Sequence, residues 1–219
     1  MSTSRERILA RLREVAPARP ELPPQHQDEV VFCDHPGPSP KAMIDLFEKR
    51  LTALKGEFHR AASIADAAVI LGKVLPEDGT IWGQDDPLVA AVLEASPALC
   101  ERLADLKTEA LPGAPELAGV GVGITRPLLL AARTGTVCIS TMSSGGRQIS
   151  VLPPVHVVLA RPADMVPSLE DCAKAWQESN DNWSFATFIT GPSRTADIEK
   201  ILVLGAHGPK RLIVILIEE

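Results

Sequence analysis

The residues with most capacity for chemistry lie in one short loop, Gly191-Pro192-Ser193-Arg194-Thr195, after the apolar run from Phe185 to Ile189. If a helix opens here, with Asp197 and Glu199 in its first turn, unsatisfied N–H groups stand beside two hydroxyls and a guanidinium. That set suits a phosphate or a carboxylate. The same residues also make ordinary local structure, with Thr195 as N-cap and Asp197 and Glu199 answering the helix dipole. Capping is the commoner use of such residues.

Four further segments invite comparison. Arg133-Thr134-Gly135-Thr136 offers hydroxyls and a glycine to a small anion, or is simply a tight turn that uses Gly for positive φ. Ser143-Ser144-Gly145-Gly146-Arg147 has the small residues and free amides of an anion nest, or is a plain connection. It lacks the Lys-Ser/Thr ending of a P-loop, and no G-x-G-x-x-G follows a strand. His156, in Leu152-Pro153-Pro154-Val155-His156, is either a satisfied core histidine or a group aimed at a cleft. His207, between Gly205 and Gly208-Pro209, either faces a site or caps a helix. Neither a Gly-x-Ser-x-Gly elbow nor a His-Glu-x-x-His pair is present, so the residues name no reaction.

Regular elements must hold these loops. Helical spacing marks Ser4 to Ala16 and the stripe Met43, Ile44, Phe47, Leu51 and Leu54, which Gly56 is expected to terminate. Ser63 with Asp66, and Ser168 with Asp171, read as capping boxes; Asp86-Pro87 opens another helix. Strands are expected at 57–61, 80–82, 119–125, 136–140, 154–160 and 212–217, and a short helix at Leu128 to Ala132. Apolar strands alternating with helices predict an α/β fold, a mainly parallel sheet covered by helices on both faces. The ligand loops are then expected outside the carboxyl ends of the strands. Seven prolines between Pro17 and Pro40 break regular structure, though Glu29 to Cys33 could dock as an edge strand. Residues 1–40 therefore read as an arm of helix and Pro-rich connector, and 41–219 as one α/β domain.

Bulk properties exclude several classes. A net charge of −6 without a basic stripe argues against non-specific nucleic-acid binding. No apolar run reaches the length of a membrane span, and the Arg-bearing first residues lack the apolar core of a secretory signal. Cys33, Cys100, Cys138 and Cys172 lie far apart, which supports neither a zinc nor an iron–sulfur site. Neither a metal nor another cofactor is expected. Unpaired thiols suit the cytoplasm.

Taken in order, GIT (123–125), TGT (134–136), LPPVH (152–156), GPSRTADIE (191–199) and GAHGP (205–209) resemble the lactate-utilisation protein C family, whose common unit is the LUD domain. The last two motifs together carry most of the likeness, which is strong over residues 115–219. The resemblance implies a fold related to glucosamine-6-phosphate deaminase, ribose-5-phosphate isomerase and the CoA-transferases. It also implies a bacterial role in oxidising L-lactate to pyruvate, as a non-redox component beside iron–sulfur partner proteins. Under that reading a small anion binds Gly191, Ser193, Arg194, Thr195 and Asp197, with Thr134, Gly135, Thr136, His156, His207 and Gly208 around it. The alternative is a stand-alone isomerase- or CoA-transferase-like enzyme acting on a sugar phosphate or acyl-CoA. Family members usually carry an acidic residue before TGT and a small pair after GIT. Here Arg133 and Arg126-Pro127 stand instead, which removes a general base and favours anion binding.

Overall fold

A computed structural model describes residues 4–15, 39–104, 119–140, 148–178, 186–195, 203–205 and 207–219. Expectations for Glu29–Cys33, Ser143–Arg147, Asp197 and Glu199 lie outside these residues. The chain divides into two compact units, Met1–Pro36 and Gly37–Glu219. Of the first unit the described part is helix α1 (Ser4–Val15), on which Ile8 and Leu9 are exposed.

The second unit begins with α2 (Pro40–Ala53), where the Ser39 hydroxyl accepts the Ala42 N–H and Pro40 occupies the first turn. Ile44, Phe47 and Leu51 are its buried stripe. Its far end differs from expectation. Lys55, not Gly56, holds the left-handed conformation (φ 70°), while the Gly56 N–H reaches back to the Leu51 carbonyl. Gly56 serves close packing instead: a Cβ there would lie 2.4 Å from Leu51 Cδ1. A β-carbon in the left-handed region costs about 1 kcal/mol, so Lys55→Gly is expected to raise stability by about 0.5–1 kcal/mol in urea unfolding.

Five parallel strands form the main sheet in the order β1 (Glu57–Ala61), β11 (Arg211–Ile217), β6 (Val155–Ala160), β3 (Val120–Thr125) and β2 (Thr80–Gly83). Their side chains alternate between two cores. Ile213, Ile215 and Ile217 join Val157, Leu159, Val122 and Ile124 beneath α3 (Ile64–Val74), α4 (Pro87–Glu94) and α5 (Pro97–Cys100). Leu212, Val214 and Leu216 join Val158 and Ala160 beneath α2 and a second sheet. Burial on both faces explains why the central strands β11 and β6 are almost wholly apolar rather than alternating, whereas the edge strand β1 carries Glu57, His59 and Arg60.

The second sheet is an addition to the sequence reading. It orders β7 (Met165–Val166), β4 (Leu129–Ala131), β5 (Thr136–Ser140) and β8 (Ala186–Ile189), with β4 and β8 antiparallel to β5. The expected helix at Leu128 to Ala132 is thus strand β4. A run of leucines and alanines favours helix locally, but pairing with Thr136–Cys138 satisfies its backbone and buries Leu130 and Ala131.

Two short helices complete the described unit. In α7 (Leu169–Glu178) the Asp171 carboxylate accepts the Ser168 N–H while the Ser168 hydroxyl accepts the Asp171 N–H. The pair at Ser63 is different: its hydroxyl accepts the Asp66 N–H, but the Asp66 carboxylate takes the Ala62 N–H. The other, α6 (Gln148–Val151), lies directly on Gly123 of β3.

Candidate functional site

The register decides where the motif loops stand. Val155 and Arg211 pair as the first residues of β6 and β11, so Pro153-Pro154 and Gly208-Pro209-Lys210 precede both strands. The LPPVH and GAHGP loops therefore flank the amino edge of the sheet, not the carboxyl edge expected from the general rule for α/β sheets. The Lys210 and Arg211 N–H groups both donate to the Pro154 carbonyl, tying these two loops together.

The GPSRT loop joins them. The Ser193 N–H donates to the Pro209 carbonyl at 2.9 Å, and the Gly205 N–H donates to the Ser193 carbonyl at 3.0 Å. Arg194-Thr195 continues as β9 (Arg194–Thr195), antiparallel to β10 (Val203–Leu204). At these two residues the loop is thus strand, and the segment that would carry a helix start lies outside the described residues. Gly191 has φ +90°, and a Cβ on it would lie 3.2 Å from Leu54 Cβ and 3.7 Å from Arg194 Nη2. The guanidinium folds back over the glycine. Arg194 is exposed and has no carboxylate partner among the described residues.

The TGT turn reaches the same region through Thr190, a residue not singled out from the sequence. The buried Thr136 hydroxyl donates to Thr134 Oγ1 at 2.7 Å and shares a 2.8 Å hydrogen bond with Thr190. Gly135 has φ +65° and presses on the last turn of α2, where a Cβ would come within 2.6 Å of the Leu51 nitrogen. Thr134, Gly135 and Thr136 are therefore engaged in fixing the turn. Thr190 then leads to Gly191, Ser193 and Arg194, with Gly208 packed on Ser193.

The two histidines do not share a cleft. His207 is exposed on its loop. His156 is wholly buried in β6, on the face it shares with Gly123, with Nε2 2.9 Å from the Thr125 hydroxyl and Nδ1 without a partner among the described residues. Burial drives its pKa down to about 4, so the ring is neutral at physiological pH. It does not line an open pocket, contrary to the reading that placed it beside His207. The thiols of Cys138 and Cys172 are also buried; burial pushes them up, to about 11 and about 12, and they stay protonated.

Arg126 and Arg133, beside the GIT and TGT motifs, are both answered within the fold. Arg126 makes a two-pronged ion pair with Asp164, and its Nη1 also donates to the Leu159 carbonyl. Its guanidinium is thus partly committed, which weakens the reading that it simply adds a free positive charge. Arg133 is exposed near Glu170, whose carboxyl is held below its ordinary range by the Ser168 hydroxyl first, then its own backbone, with Arg133 and Lys174 adding smaller favourable charges. Among the described residues no group of His, Cys, Asp and Glu could hold a metal ion, and no helix is long and apolar enough to cross a membrane.

Comparison with known proteins adds findings of three kinds. A family model described as LUD domain matches residues 44–217. Lactate utilization protein C of Bacillus subtilis (strain 168) is 33% identical over 102 residues, covering 45% of this chain and 42% of that protein. Its counterpart from Anoxybacillus flavithermus is 38% identical over 98 residues, covering 45% and 44%. The match thus spans less than half the length of these curated relatives. The crystal structure of a DUF162 family protein from Deinococcus radiodurans superposes with a TM-score of 0.57 at 19% identity, over 82% of this chain and 99% of that one. That likeness is one of fold.

Proposed function

The chain belongs to the LUD domain family, and from that premise we propose that it acts in the bacterial cytoplasm in L-lactate utilisation, as a non-redox component working with iron–sulfur proteins. Its own contribution is a small-anion site formed by Gly191, Ser193 and Arg194. The observation that carries this reading is the mutual bracing of the GPSRT and GAHGP loops through Ser193, which presents the Arg194 guanidinium exposed and unpaired among the described residues. A guanidinium held on a braced loop matches a carboxylate in charge and in hydrogen-bond geometry. The relatives named lactate utilization protein C support lactate as the context.

The test is complementation of a strain lacking this gene. Arg194→Gln is expected to abolish growth on L-lactate while circular dichroism and melting temperature match the native protein, because the side chain is exposed. Growth at the native rate would remove the anion-site assignment. Affinity purification of the native chain from lactate-grown cells is expected to bring down cluster-bearing proteins with iron–sulfur absorbance. Their absence would leave it a separate activity.

A further inference from the structure

At the carboxyl edge of the parallel sheet, the other end from the motif loops, lies a cleft of about 290 Å³. Its lining mixes apolar residues, Ile64, Pro87, Leu88 and Ala91, with Asp86, Arg126 and Arg161. Arg126 directly follows β3 and Arg161 directly follows β6, so neighbouring strands deliver both guanidiniums to one place. We infer that this cleft binds a monocarboxylate bearing a short apolar tail, Arg161 and Arg126 holding the carboxylate and Ile64, Pro87 and Leu88 the tail.

The donors are side chains, not helix ends. Asp86 Oδ1 already accepts the Leu88 and Val89 N–H groups of α4, and the Glu219 carboxylate accepts the Ile64 N–H at the start of α3. Arg126 spends two N–H groups on Nη1, toward Asp164 and the Leu159 carbonyl, and one on Nη2. Its Nε stands 3.9 Å from Asp86 Oδ1, too far for a hydrogen bond. The Nε–H and one Nη2–H therefore remain for a ligand on a guanidinium whose orientation Asp164 has fixed. Arg161 is exposed and has no carboxylate partner among the described residues.

Charge selects the ligand class. Asp164 neutralises Arg126 and Asp86 shares the lining with Arg161, so a monoanion meets less carboxylate repulsion here than a phosphate dianion. The apolar part of the lining favours a tail over a bare anion, since each buried methylene contributes about 0.8 kcal/mol, roughly a fourfold gain in affinity. This inference does not rest on the lactate reading and concerns the opposite end of the sheet.

Isothermal titration with hexanoate, acetate, 1-hexanol and inorganic phosphate tests it. Hexanoate is expected to bind at least about tenfold more tightly than the other three. Arg161→Gln is expected to weaken hexanoate about tenfold or more at unchanged melting temperature. Ala91→Leu, which narrows the cleft from α4 without touching either arginine, should weaken it as well. Lys73→Gln, an exposed charge outside the cleft lining, should not change it. Equal affinity for acetate, no saturable hexanoate binding, retained affinity in both cleft variants, or an equal loss in Lys73→Gln would each overturn the assignment.

Discussion

Gly123→Ala is expected to destabilise the protein by about 3 kcal/mol in urea unfolding. Gly123 sits in the middle of β3, and a β-carbon there would come 2.0 Å from the Ile149 carbonyl oxygen and 3.1 Å from Pro153 Cγ. The first contact is with backbone, so no rotamer change relieves it; α6 must move bodily off the sheet. That movement would also open the layer over His156, which shares this face and pairs with Gly123 in register. Gly72 in α3 supplies the contrast. Nothing lies within 4 Å of its β-position, so Gly72→Ala is expected to stabilise by about 0.5–1 kcal/mol through helix propensity. A loss below about 1 kcal/mol for Gly123→Ala would show that α6 does not bear on the strand as described.

His156 gives the second large effect, which is acid lability. The ring is neutral in the folded protein down to about pH 4 but titrates near its ordinary 6.5 when unfolded. Between those values the unfolded chain binds more protons than the folded one, so stability falls as pH falls. The contribution is intact above about pH 6.5, declines across the window and is lost below about pH 4. A displacement of this size amounts to about 3 kcal/mol between pH 7 and pH 4. His156→Gln keeps a hydrogen-bonding partner for Thr125 and removes the titration. The difference between the two unfolding free energies is expected to shift by about that amount in favour of His156→Gln as the pH drops from 7 to 4. Parallel curves would mean that the buried ring is already protonated or freely hydrated.

Much of the architecture is legible in residue patterns because its causes are local. The nearly unbroken apolar runs of β6 and β11 announce burial on two faces, and Ser63, Asp86 and Ser168 mark helix starts through hydrogen bonds made within a few residues. The glycines of β3 announce close approach, which Gly121 meets against Gly79 and Gly123 against Ile149. The family likeness carried by the GPSRT and GAHGP motifs falls within the LUD domain match. Errors appeared where a local preference met a distant partner. Leu128 to Ala132 has a helix-forming composition, yet the hairpin with β5 and the parallel contact with β7 make it strand.

The candidate site shows the same division more sharply. Residue types alone identify the exposed guanidinium of Arg194, the TGT turn and the two histidines as groups worth weighing. They cannot say that Thr190 closes on Thr136, that His156 is sealed in the core while His207 stands outside, or which edge of the sheet the loops occupy. Nor do they bring Asp86, Arg126 and Arg161 into one cleft across 76 positions of chain. Backbone preferences and apolar periodicity act over a few residues and are written in order along the chain. Side-chain neighbours across a sheet depend on strand order and register, which are settled only when the whole core packs.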